Sequence, residues 1–183
     1  MNKILAALLI AILFIACHNE QANLPPPPTQ PEVKEALIKS HQMYIKQEQD
    51  EIAQYIKRHN FTMEATQTGI YYMITEHGKG EQAAVGDIAT VTYDISLLNG
   101  TTCYDSKDKP VQVLVGKDAV ESGVHQAIEL MHDGDKGIFI IPSYLAHGLV
   151  GDRDKIPPGS VVIYNISLLS VKKPKGSDTN SKK

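Results

Sequence analysis

Between Ala89 and Leu97 apolar and polar positions alternate without a break. Ala89, Val91, Tyr93, Ile95 and Leu97 fall on one side, and Thr90, Thr92, Asp94 and Ser96 on the other. A period of two is that of a strand with one buried face. Asn99-Gly100 follows, the strongest short hairpin signal, and T-T-C-Y-D-S returns from it, bringing Tyr104 and Asp105 back beside Tyr93. Farther on the period changes. Val120, Val124, Ala127, Ile128 and Met131 stand at i, i+4, i+7, i+8 and i+11, one apolar stripe on a helix of about three turns. A helix so short does not hold by itself in water, so the stripe must be covered. The strand-like runs G-I-Y-Y-M-I-T-E, V-Q-V-L-V-G, I-F-I-I and V-V-I-Y-N-I-S-L-L can cover it. Strands, one helix, then strands predict an α+β fold, an antiparallel sheet curled over one short helix.

The pattern ahead of this unit is different. Lys3 is followed by 13 apolar residues, Ile4 to Ala16, too few for a spanning helix of about 20 but suited to a signal-peptide core. The run ends F-I-A-C, which resembles the lipobox of bacterial lipoproteins, a family in which the signal is cut before the cysteine and that cysteine is acylated. Residues 1–16 are therefore expected to be a lipoprotein signal peptide and Cys17 the lipidated residue. Residues 17–32, with four consecutive prolines, read as a semi-rigid polyproline tether. Residues 33–67 read as a spacer built on a helix from Val33 to His59, rich in Ala, Glu, Lys, Gln and Leu with no Gly or Pro. Ile38, Ile45 and Ile52 recur every seven residues, a narrow seam on a helix that could pair with a second copy, lie on the following domain or simply extend from the membrane. The globular domain is placed at 68–171 and a basic tail without structure at 172–183.

Composition narrows the classes of function. A net charge of −3 over 183 residues gives no basic face for nucleic acid. Cys17 and Cys103 form neither a disulfide framework nor a metal spacing. The nucleophile elbow, the phosphate-cradling glycine loop and the zinc-protease helix motif are all missing from the sequence, and no cofactor is expected. Glu121 and His125 share a helix face at i, i+4, a spacing that ordinary solvated helix faces also show. What remains is a ring of apolar and tyrosine residues around a carboxylate.

That ring carries a family resemblance. Thr68 to Val171 resembles an FKBP-type peptidyl-prolyl isomerase domain in T-G-I-Y-Y-M-I-T-E-H-G-K-G, V-G-D-I-A-T-V-T-Y, N-G-T-T-C-Y-D-S and L-V-G-K-D-A-V-E-S-G-V, and in I-P-S-Y-L-A-H-G followed by I-P-P-G-S-V-V-I-Y. With its lipobox and helical spacer the whole chain is also similar to the FKBP-like lipoproteins associated with gliding motility in Bacteroidetes. The resemblance implies a half-barrel on a short helix and an apolar pocket for X-Pro segments. It implies Tyr93, Tyr104, Asp105, His147 and Tyr164 as the catalytic set, with Val111, Val120, Glu121, Val124 and Ile156 binding substrate. Glu121 is expected to act through its backbone N–H. Three departures from the family matter most. Val111 replaces an aromatic wall, Val124 a large and often Trp floor, and His147 a tyrosine whose hydroxyl bonds the substrate carbonyl. Tyr104 and Tyr164 stand where Phe is usual, and the hairpin is one residue longer before Tyr104.

Two functions are open on this reading. One is an envelope-anchored prolyl isomerase that assists the folding of secreted or envelope proteins. The other is a catalytically weak binding or chaperone module of an envelope assembly such as the gliding-motility machinery. Both place the domain in the periplasm or on the surface, tied to a membrane through lipid.

Overall fold

The structure, a computed structural model, describes residues 29–106 and 109–174. The expected signal peptide 1–16, Cys17, residues 18–28 of the expected tether and most of the basic tail lie outside them. The chain divides into two compact units, Met1–His41 and Gln42–Lys183.

In the first unit the described residues carry the start of helix α1 (Gln30–His59). The helix begins three residues before the expected Val33, and the reason is local. Glu32 supplies one arm of a capping box: its carboxylate accepts from Thr29 N at 2.7 Å and from Thr29 Oγ1 at 2.8 Å. Pro31 falls within the first turn, where a missing N–H costs nothing. Val33, Leu37 and Ile38 are exposed.

The second unit is built on a sheet of seven strands. They are β1 (Glu64–Ala65), β2 (Tyr71–Glu76), β3 (Ile88–Leu97), β4 (Thr102–Asp105), β5 (Val111–Leu114), β6 (Lys136–Ile141) and β7 (Val162–Lys172). All pairings are antiparallel, in the order β1-β2-β6-β7-β3-β4, with β5 on the same edge of β3 as β4. The α+β expectation therefore holds. The Asn99-Gly100 hairpin closes as predicted, with Gly100 N donating to Leu97 O and Leu97 N to Thr101 O. The ladder shifts register beside it: Ser96 faces Thr102 and Ile95 faces Tyr104, so Cys103 bulges out of the ladder.

Helix α2 (Ser122–Glu129) packs on one face of the sheet. Its Val124, Ala127 and Ile128, with Met131 just beyond, join one apolar core with Val91, Phe139, Ile141, Tyr164 and Ile166 from the strands. The helix is shorter than the stripe that announced it, because Val120 and Glu121 precede it and Glu121 is extended. Gly123 sets the closeness of approach: a Cβ there would overlap Ile141 Cγ2.

Alternate residues of β6 and β7 point the other way and are covered too. Ile140, Val161 and Ile163 form a second cluster with Ile52 of α1, edged by Tyr55, Ile56 and Met63. Ile52 is fully buried there. The third position of the heptad seam is thus taken by the chain's own domain and is unavailable to a second copy. The segment 33–67 also supplies β1, which pairs with β2.

Candidate active site

The pocket follows from the pleat of β3. Val91, Tyr93 and Ile95 face α2, and Val113 of β5 and Ile166 of β7 close beside them. With Val124 and Ile128 of α2 these side chains line a cavity of about 270 Å³. Its rim brings together residues far apart in sequence: Tyr104, Val111, Val120, Glu121, His147 and Tyr164. Eight of the ten pocket residues expected from sequence therefore meet here, namely Tyr93, Tyr104, Val111, Val120, Glu121, Val124, His147 and Tyr164. Val124 is nearly buried in the cavity wall, while Val111 and Val120 stay 41 % and 37 % exposed.

Asp105 and Ile156 do not line this cavity, and both placements have a physical reason. Consecutive strand residues point to opposite faces. Tyr104 takes the inward position opposite Ile95, so Asp105, opposite Asp94, is exposed on the other face. There it borders a broader polar cleft with Thr92, Asp94, Lys136 and Asn165. The expectation that Tyr104 and Asp105 would both serve one pocket is therefore corrected. Ile156 is 2 % exposed and belongs to the core beneath the loop. Its N–H donates to Asp152 Oδ1 at 2.8 Å, and its carbonyl accepts from Asp152 N at 3.1 Å.

The carboxylate of the pocket is instead Glu121. Its side chain is about three-quarters buried, and its Oε1 lies 3.2 Å from His147 Nε2. The two are close but misaligned, since buried Nε2 makes no well-directed hydrogen bond. Glu121 precedes α2 with φ −60° and ψ 142°, as a helix N-cap does, yet its side chain caps no N–H. Burial, helped by the negative charge of Glu121, pushes the Tyr164 phenol well above its ordinary pKa. Tyr164 is therefore a neutral hydroxyl throughout the working range. Tyr93 and Tyr164 pack with ring centroids 6.2 Å apart, tilted by 50°.

The loop between β6 and β7 is held from two sides by residues that the family resemblance did not assign to it. On one side the Tyr104 hydroxyl donates to Asp152 and, at 3.3 Å, approaches Asp154. That bond holds the Asp152 carboxyl down at about 2, with the N–H groups of Asp154 and Ile156 and nearby His147 adding to it. Lys155 lies 4.9 Å from the centre of the Tyr104 ring. On the other side Tyr44 of α1 donates to the carbonyl of Gly159 at 2.8 Å. Gly159 has φ 66°, and a Cβ there would overlap Tyr44 Oη, so the position requires glycine twice over. Buried Glu48, one turn on, accepts from Ser143 N at 3.3 Å. The continuous apolar run I-F-I-I was the sequence signal that both sheet faces are covered. Among the described residues no His, Cys, Asp or Glu grouping could hold a metal, and no helix is long and apolar enough to cross a membrane.

Comparison with known proteins agrees with this geometry. Residues 79–169 match the family model for FKBP-type peptidyl-prolyl cis-trans isomerase. The chain is similar to a probable FKBP-type isomerase FkpA of Neisseria meningitidis, 31 % identical over 115 residues, which are 63 % of this chain and 42 % of that protein. Among solved structures it resembles FkpA from Escherichia coli, with TM-score 0.59 and 25 % identity over 92 % of this chain and 82 % of that one. It also resembles a peptidyl-prolyl isomerase of Pseudomonas syringae, with TM-score 0.63 and 25 % identity over 72 % and 96 %. The chain spans about half the length or less of the curated relatives it matches.

Proposed function

We propose that this chain, which belongs to the FKBP-type peptidyl-prolyl cis-trans isomerase family, rotates X-Pro bonds of secreted or envelope proteins from a lipid anchor at Cys17. The observation that carries the reading is the convergence of the eight sequence-predicted residues on one apolar cavity with a tyrosine pair in its wall. The chemistry asks for little more. Amide rotation costs about 18–20 kcal/mol because the planar form is resonance-stabilised, and that form is more polar than the twisted one. A pocket that removes water from the amide therefore favours the transition state. X-Pro bonds are suited to it, since both isomers are populated and exchange takes tens to hundreds of seconds unaided. Within this proposal the proline ring enters between Val91, Val124, Ile128 and Ile166, and Tyr164 offers a neutral hydroxyl at the wall. Asp105 has no part in it.

A second reading, a weak isomerase serving as a binding module of an envelope assembly, is favoured by one observation. Val111 and Val124 leave the mouth and floor without the aromatic grip the family resemblance implies. Pairing of two copies, if used, would rest on exposed Val33, Leu37 and Ile38 rather than on Ile52. The test of the enzymatic reading is refolding of a protein whose slow phase is limited by a proline bond. Catalytic amounts of the full chain in detergent are expected to accelerate that phase. Capture of the unfolded protein without acceleration would leave the binding module.

A further inference from the structure

We infer that Glu121 makes this pocket selective for segments in which the residue joined to proline carries a cationic side chain, Lys or Arg. The inference rests on the reading of the cavity as an X-Pro pocket. Glu121 is the one carboxylate among the described residues lining the cavity, and His147 the one basic group. The carboxylate is not spent on its helix, which receives no side-chain cap from it. The groups facing it are His147 from the β6–β7 loop and the Tyr164 hydroxyl from β7. His147 itself is shared with Asp152, whose carboxyl responds to it. An ionised carboxylate has about four acceptor sites, so one misaligned imidazole and the Tyr164 hydroxyl leave it short of donors.

Placement completes the argument. Adjacent Cα atoms are 3.8 Å apart, so with proline in the pit the preceding residue sits at the mouth beside Val120 and Glu121. Val111 and Val120 are exposed there, an apolar ledge along which a Lys or Arg stem can lie while its head meets the carboxylate. Partial burial strengthens that attraction over its value in bulk water. An acidic residue at the same position would face Glu121 and be rejected by like charge. The expected preference is about five- to twentyfold in kcat/KM for Lys over Leu, a charge-assisted bond discounted for partial exposure, with Glu below Leu.

The experiment measures kcat/KM of the full chain on three peptides that differ only in Lys, Leu or Glu before proline, at pH 7.5 and low salt. The order Lys, Leu, Glu is expected, compressed at high salt. Glu121→Gln should bring the three within about twofold, and Glu121→Lys should invert the order. Wild-type activity on all three with no advantage for Lys overturns this inference and leaves the isomerase reading intact. No turnover of any peptide overturns both.

Discussion

Truncating Ile52 to alanine separates a helix that merely spaces the domain from one that is part of it. Ile52 lies in α1, outside the 68–171 segment that resembles the isomerase family, yet it is fully buried against Ile140, Val161 and Ile163. Buried isoleucine-to-alanine changes cost about 2–5 kcal/mol, rising with the cavity left behind. This cluster is small and edged by the partly exposed Tyr55, Ile56 and Met63, so it can close partly around the gap. The expected loss is therefore about 2–3 kcal/mol, in the lower half of that range. For a unit of this size the melting midpoint should fall by roughly 5–10 °C. The control is Ile38→Ala, 51 % exposed in the same helix, which should change stability by less than about 0.5 kcal/mol. Urea unfolding of both variants, with m unchanged, measures the difference. If Ile52→Ala loses no more than Ile38→Ala, the docking of α1 on the outer sheet face is wrong.

Three further outcomes follow from named contacts. Val124→Trp should raise kcat/KM by about two- to tenfold by giving the pocket an aromatic floor, at a stability cost of about 1 kcal/mol from tighter packing; a fall in activity at intact stability would refute Val124 as floor. The Asp152 carboxyl, depressed from 3.8 to about 2, lends stability that is complete above its unfolded value and lost as pH falls through the folded one. Tyr104→Phe should accordingly flatten the melting curve between about pH 4 and 2, and parallel wild-type and variant curves would exclude that bond as the cause. Metabolic labelling with an alkyne fatty acid should mark the wild-type chain and not Cys17→Ser, and equal labelling of the two would end the lipid-anchor proposal.

Much of the domain could be read before its structure, because period carries so much of it. The alternation from Ala89 to Leu97 became β3, the Asn99-Gly100 pair closed its hairpin, and the stripe from Val124 to Met131 joined the strands' core. Asp105 was misplaced for a reason the same periodicity contains. Residues 104 and 105 are neighbours on a strand, and only one of them can face the pocket. Glu121 was assigned to its backbone because the family resemblance implies mainly an N–H at that position; here the chain also turns the carboxylate toward His147. Pattern alone does not give a side-chain direction at a helix start. The ties from Tyr44 to Gly159 and from Tyr104 to Asp152 join residues 115 and 48 apart in sequence, and no local signal links such partners. The I-F-I-I run did hold the information that α1 would lie on the sheet, since a strand apolar on both faces needs two covers.

The central claim is that the cavity between α2 and β3 lowers the barrier to rotation about an X-Pro bond. Exchange spectroscopy on a short Lys-Pro peptide, with cis and trans signals resolved, measures that rotation without a coupling enzyme. Catalytic amounts of the full chain should broaden and exchange the two signals. Saturating the pocket with an excess of a second proline peptide should suppress the effect. Sharp, unexchanged signals at every concentration of chain would contradict the account.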